Sequence, residues 1–322
     1  MEPWYDSVHG ITTVDAQYIK PGIASMQLVV ADGYAAFVDT GTTLSLPYAQ
    51  KALAAKGIAH SRVDFVIPTH VHLDHAGGAG AMMAAFPNAT LVVHPQGKRH
   101  MIDPGRLWQG TLDVYGEKAA SRLYGRVIPV EEQRILVADD NFELDFHGRN
   151  LRFLDTPGHA RHHFCVVDSV HRVIFAGDTM GVSFRALDGP NGPFVFPTSS
   201  PVQFEPDQLH ASIDRLMATD PRHIFVTHFG RIDASGRVAD ALHRQIDGYV
   251  SITNSLDDPA EIDELRRRIT DYMLEEARSH GVPLSDEKIR PWLKMDARLN
   301  ADGLAIWLAR RQKKERRQTG AP

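Results

Sequence analysis

The 322-residue chain is long enough to bury a full core and to carry one large domain plus an appendage. Hydrophobic residues make up 43% and charged residues 23%, ordinary proportions for a soluble globular protein, and a net charge of -5 argues against a dedicated nucleic-acid binder, whose phosphate contacts need a concentrated positive field. A single cysteine, Cys165, excludes an intramolecular disulfide, and no uncharged apolar run approaches the roughly 20 residues that span a bilayer. The opening MEPWYDSVHG has neither the basic nor the apolar stretch of a signal peptide, so a cytoplasmic enzyme is expected. The unusual count is 17 histidines.

In chain order, Met26–Ala31 and Tyr34–Asp39 are β-prone runs flanking Asp32-Gly33, which predicts a hairpin. The Ala-rich stretch Leu46–Lys56, with Gly57 behind it, predicts a helix with a glycine stop. Asp64–Pro68 predicts a short buried strand running straight into Thr69-His70-Val71-His72-Leu73-Asp74-His75. A helix over Ala79–Phe86 and a strand over Thr90–Val93 follow. Later strands are expected at Leu151–Leu154, Phe164–Val167, Val173–Ala176 and Ile224–Val226. Between the last two lie a Pro/Gly/Phe-rich loop, Gly181–Pro206, and an amphipathic helix over Asp207–Ala218 with Leu209, Ile213, Leu216 and Met217 on one face.

Past about residue 235 the pattern is helical only. Asp258-Pro259-Ala260-Glu261 resembles a capping box, Ile262, Leu265, Ile269, Tyr272 and Met273 recur at helical spacing, and Gly281 supplies a stop. Two further helices are expected, near Ser285–Leu293 and at Asn300–Arg311. The apolar stripe of Leu304, Ile306, Trp307 and Leu308 is read as packing against the main domain, with a homodimer contact through the helical region as its alternative use. The basic run Arg311–Arg317 reads as a solvated helix end. Domains are therefore expected over 1–234 and 235–322.

His70, His72, Asp74 and His75 place four potential ligands within six residues. In a continuous strand His70, His72 and Asp74 would share a face, with His75 turned away. In a loop passing from strand to helix, the first pair can face one metal and the second pair another; Gly77-Gly78 can supply the close backbone approach this needs. Imidazole nitrogen and carboxylate oxygen suit zinc or non-haem iron. His159, Asp178 and His228 each follow an apolar strand, and together with the cluster they complete a set that two metals could share, Asp178 being the natural bridge.

The motifs THVHLDHAGG, TPGH, FAGDT and VTHFG resemble the metallo-β-lactamase superfamily over about residues 26–231, in the glyoxalase II and lactonase-like branch and with a C-terminal helical extension. The resemblance implies an α/β fold, a four-layer αβ/βα sandwich with a C-terminal helical appendage. It assigns His70, His72 and His159 to one metal, Asp74, His75 and His228 to the other, and Asp178 to both. Two divalent ions are implied, zinc first, with iron or manganese as alternatives. The implied chemistry is a metal-bridging hydroxide acting on a thioester, ester or lactone, with Asp74 orienting it and moving a proton. Asp178 stands where many β-lactamases of the family carry cysteine, which argues against β-lactam hydrolysis.

Asp39-Thr40-Gly41 is expected to support the ligands, and His163 to make a structural hydrogen bond or join the site. His94 and His100 are candidates for the cleft mouth, and Cys165 reads as a core thiol. Phe184, Phe194 and Phe196 suggest an apolar acyl pocket, or else rings that pin the long loop; Arg185 is the nearby cation for a substrate carboxylate. The expected partner is a small-molecule substrate, with no nucleic acid and no membrane. Alternatives within the same superfamily are an iron-dependent oxygen or persulfide redox enzyme and a phosphodiesterase; outside enzymes, a regulator with a vestigial site.

Overall fold

The computed structural model describes residues 4–6, 8–199, 203–256 and 262–319. The capping-box residues Asp258 to Glu261 lie outside them. Two compact units result: Met1–Asp155 with His162–Gly177 and Thr219–Ala234, and Thr156–Arg161 with Asp178–Ala218 and Ser235–Pro322.

The first unit holds both sheets. Strands β1 (Trp4–Asp6), β2 (Ile11–Asp15), β3 (Ser25–Ala31) and β4 (Tyr34–Val38) form an antiparallel meander. The β3–β4 turn pairs Ala31 with Tyr34 across Asp32 and Gly33, whose φ values of 47° and 75° match the left-handed geometry of a two-residue hairpin. Helix α1 (Leu46–Ala55) then crosses to β5 (Val63–Ile67), parallel to β4. The short α2 (Leu73–Ala76) and α3 (Ala79–Ala85) lead to β6 (Thr90–Val93), parallel to β5. Three helices that the patterning leaves unassigned, α4 (Lys98–Ile102), α5 (Gly105–Tyr115) and α6 (Glu117–Tyr124), precede β7 (Ile135–Val137), which completes the sheet in sequential order.

The second sheet runs β13-β12-β11-β10-β9-β8. Its strands are β8 (Glu143–Phe146), β9 (Arg149–Asp155), β10 (Phe164–Asp168), β11 (Val173–Gly177), β12 (His223–Val226) and β13 (Gly230–Asp233), antiparallel except for β11 beside β12. The four strands expected after residue 150 are all present. The core joins the inner faces of both sheets, with Val29, Val38, Ile67 and Val92 from the first packed with Phe153, Phe164, Phe175 and Phe225 from the second. Helices α1 and α3 lie against the first sheet. Both sheets are thus mixed, and α/β is the fold class.

The second unit contains α7 (Pro206–Met217), α8 (Gly236–Asn254), α9 (Ile262–His280) and α10 (Asp286–Thr319). The two short helices expected near Ser285–Leu293 and Asn300–Arg311 are one 34-residue helix. Pro291 lies in its second turn, where the missing N–H forgoes one bond to the Glu287 carbonyl, and Ile289, Leu293, Ala297, Ala301, Leu304 and Leu308 carry one buried stripe through the expected gap. Asn300 on that stripe accepts from Ser199 N at 2.8 Å and donates to Pro197 O at 3.1 Å, fixing the loop after Asp178 to α10. Gln245 of α8 adds a bond to Val195 O at 2.9 Å.

Candidate metal centre

Strand β5 ends at Ile67, and a bent, irregular stretch leads to His72, which stands at the N-terminus of α2 with φ -61° and ψ 147°. Of the two arrangements open to the His70–His75 run, the structure adopts the strand-to-helix one. His70 and His72 lie in that irregular stretch, with His70 Nε2 and His72 Nδ1 2.7 Å apart. Asp74 and His75 occupy the first turn of α2, and His228, two residues past β12, comes to them. Ligand atoms of Asp74, His75 and His228 lie within 4.8 Å of one another. His228 Nε2 is 3.6 Å from Asp74 Oδ2, and His75 Nε2 is 3.9 Å from Asp74 Oδ1. The turn after α2 is as tight as Gly77-Gly78 suggests: a Cβ on Gly78 would stand 2.6 Å from both Thr40 O and Thr42 O.

Asp39 organises these residues. It follows β4 in the left-handed region, with φ 58°, and is 1% exposed. Its Oδ1 accepts from Thr69 N at 2.7 Å and Thr69 Oγ1 at 2.9 Å; its Oδ2 accepts from Thr227 Oγ1 and from His75 Nδ1 at 3.0 Å. One carboxylate therefore ties the end of β4 to the histidine loop and to the end of β12. The proton that His75 donates to Asp39 must sit on Nδ1, so neutral His75 presents a lone pair on Nε2. His228 is held the same way, its Nδ1 donating to Ile23 O at 2.7 Å. Histidines that ligate metals are oriented through their second nitrogen in this manner. The supporting role expected of Asp39 and Thr40 is what the structure displays, Thr40 Oγ1 donating to His75 O at 2.8 Å.

In the second unit, His159 Nε2 lies 3.4 Å from Asp178 Oδ2, and both residues are buried. Gly158, with φ 130°, is required before His159, because a Cβ there would fall 2.4 Å from the Leu209 backbone of α7. Ser212 Oγ of the same helix donates to Pro157 O at 2.6 Å. Asp178 is the residue directly after Gly177, the last of β11. The structure thus brings His70 to His72 and Asp74 to His75 and His228 in one unit, and His159 to Asp178 in the other. Nitrogen and carboxylate donors in these sets suit a divalent ion.

Phe184, Phe194 and Phe196 are buried in the second unit, Phe196 lying 5.9 Å from Phe184 and 5.7 Å from Phe194 between ring centroids; Phe184 also faces Trp292 at 5.8 Å. Arg185 Nη1 is 3.4 Å from Asp188 Oδ2. His163 is fully buried and stacks on His70 with centroids 4.8 Å apart. His94 Nε2 pairs with Asp155 Oδ1 at 3.0 Å, and the His100 ring stands 6.3 Å from that of His162. Cys165 is buried in β10, its Sγ 3.4 Å from Ala176 O.

Sequence reasoning misses a buried phenol pair. Tyr18 Oη and Tyr124 Oη are 2.7 Å apart, and burial first, then the negative charge of Asp74, pushes both hydroxyls well above the usual tyrosine range. Both therefore stay protonated near Asp74. At 106 positions apart and with no motif at either, no sequence signal could pair them.

The metallo-β-lactamase superfamily model matches residues 19–228. Metallo-beta-lactamase fold-containing protein ST1585 of Sulfurisphaera tokodaii is 25% identical over 228 residues, covering 69% of this chain and 79% of that protein. The hydroxyacylglutathione hydrolase of Cupriavidus taiwanensis is 30% identical over 195 residues, 59% of this chain and 56% of the relative. The match thus spans about half the length of that hydrolase. In fold, the crystal structure of ST1585 superposes with a TM-score of 0.63 at 20% identity, covering 92% of this chain and 99% of that one. A metallo-beta-lactamase family protein of Thermus thermophilus gives the same TM-score and identity, with 94% of each chain covered. By the match of the family model to most of its length, through the histidine loop to His228, this chain belongs to the metallo-β-lactamase superfamily.

Proposed function

We propose that the chain is a dinuclear metal-dependent hydrolase acting on a thioester, ester or lactone. The observation that carries this reading is the preset orientation of Asp74, His75 and His228, whose imidazoles are tied back through Nδ1 by Asp39 and Ile23 O so that Nε2 atoms and a carboxylate converge. Similarity to a hydroxyacylglutathione hydrolase supports the thioester class. In this reading His70, His72 and His159 hold one ion, Asp74, His75 and His228 the other, and Asp178 serves both. When bound, such ions lower the pKa of a water toward neutrality and polarise a substrate carbonyl. Asp74 accepts a hydrogen from the attacking water at one carboxylate oxygen, orienting it, and carries a proton toward the leaving group. Tyr18 and Tyr124 stay protonated and add no negative charge near that carboxylate.

The test is elemental analysis of the purified protein, followed by a panel of acyl-CoA, S-acyl-glutathione and homoserine-lactone substrates. Turnover on at least one class, lost in Asp178→Ala together with bound metal, is expected. A fully loaded protein inactive across the panel would sink the reading, and oxygen uptake with glutathione persulfide would replace it with a redox one.

A further inference from the structure

The Asp39 carboxylate reaches two of the ligand histidines by different routes. To His75 the route is direct, from Oδ2 to Nδ1 at 3.0 Å. To His70 it passes through Thr69. The buried Thr69 hydroxyl stands 2.9 Å from Asp39 Oδ1, 3.2 Å from Asp39 Oδ2 and 3.1 Å from His70 Nδ1. A hydroxyl has one hydrogen to give and two lone pairs that accept, whereas a carboxylate only accepts. The carboxylate is also the stronger and nearer acceptor, so the hydrogen goes to Asp39. The hydroxyl oxygen then accepts from His70 Nδ1. That fixes the His70 proton on Nδ1 and leaves the lone pair on Nε2, the atom that lies 2.7 Å from His72 Nδ1.

Packing holds the hydroxyl in this role. The Thr69 N–H is itself tied to Asp39 Oδ1 at 2.7 Å, and a β-branched side chain has few rotamers that could turn the hydroxyl away. Gly177, at the end of β11 with φ 49°, comes close from the other side: a Cβ there would stand 2.6 Å from Thr69 Oγ1 and 2.5 Å from His163 Nε2. The His163 ring in turn lies on the face of His70, 29° from parallel. His70 is thus held at its edge by Thr69 and across its face by His163.

We propose that Thr69 is a positioning residue for the ion at His70 and His72, so that one carboxylate presets a ligand of each metal. It sets His75 by direct contact and His70 by way of the hydroxyl. This role rests on the two-metal reading above and not on the identity of the substrate. It makes the two ions separable, since losing the acceptor at Thr69 loosens one arm while the other stays tied.

Competitive chelator titration of the zinc-loaded full chain, with metal content counted at each step, tests it. Thr69→Val keeps the shape of the side chain and removes the hydroxyl; the N–H at that position can still donate to Asp39, and the His75 bond is untouched. One zinc equivalent should weaken by about tenfold or more in Thr69→Val while the other keeps its wild-type affinity. Thr69→Ser, which retains a hydroxyl, should restore both. In cobalt-loaded Thr69→Val the visible absorption of one site should change and that of the other persist. A merely structural role would lower the urea midpoint and both affinities together. A second measurement needs no substitution: in wild type with isotope-labelled histidines, nitrogen–proton correlation spectra should show the His70 hydrogen on Nδ1 and keep it there as zinc is drawn off. That hydrogen on Nε2, or equal weakening of both equivalents or of neither in Thr69→Val, would overturn the proposal. Wild type that holds no metal would sink the two-metal reading with it, whereas two bound ions without turnover would sink only the hydrolase.

Discussion

Asp39→Asn changes one atom pair and should empty a metal position that it does not itself touch. In the native site the carboxylate accepts from Thr69 N, Thr69 Oγ1, Thr227 Oγ1 and His75 Nδ1. The amide of asparagine has a single acceptor oxygen, and the two Thr69 donors retain it. The NH2 group then faces Thr227 and His75. The Thr227 hydroxyl can rotate and accept, but His75 can accept only by moving its proton from Nδ1 to Nε2. That proton then blocks the atom facing Asp74. Loss of the charge-assisted bonds costs about 1.5–3 kcal/mol of stability, which the protein can survive. Metal affinity of the Asp74, His75 and His228 set should fall about 10–100-fold, as when an orienting partner is removed. The assay is a competitive chelator titration with metal content read at each step, beside a urea unfolding curve. Thr227→Val is the control: it deletes one donor to Asp39 while leaving the His75 proton in place, and it should lose stability with little loss of metal. Wild-type metal affinity in Asp39→Asn would refute the orientation argument.

Gly158→Ala forces a Cβ to 2.4 Å from the Leu209 backbone at φ 130°; a loss of about 1–3 kcal/mol and a lower thermal midpoint are expected by calorimetry. Asn300→Leu leaves Ser199 N and Pro197 O without their buried partner, costing about 1–3 kcal/mol for each such group, and hydrogen exchange should rise first in the loop before α7. Because burial lowers the pKa of His9 on folding, the unfolded chain binds more protons as the medium turns acid. Its contribution is therefore complete above about pH 6.5 and declines below it. In metal-free buffer, His9→Asn should make the fall in the urea midpoint between about pH 7 and 5 shallower; an unchanged slope would contradict the assignment.

Much of the centre is legible in the sequence because close-packed ligands need a particular backbone. His70 to His75 follow an apolar strand and precede two glycines, punctuation that admits a strand-to-helix corner beside a continuous strand, and the structure takes the corner. Asp39 is legible as support only through the resemblance to the superfamily, in which an early strand ends near the site. Helices α4 to α6 are harder to read: α5 has no fully buried residue, so no apolar stripe announces it. The two halves of α10 read as separate because between Leu293 and Asn300 only the small Ala297 carries the buried stripe, too weak an apolar signal to join them. Tyr18 and Tyr124 meet only through tertiary packing, which local patterning does not carry.

The reach of Asp39 along the chain also sets when the site can exist. Its donors lie 30, 36 and 188 residues downstream, so the last arrives with Thr227. Until then a carboxylate destined for the interior has no complete set of partners, and burying it early would be strongly unfavourable. During synthesis the histidine loop therefore emerges long before the strand that locks it, and its final shape waits on a late, long-range closure. A chain truncated ahead of Thr219 would carry the entire His70–His75 run yet lack the Thr227 bond that completes Asp39's partners around His75.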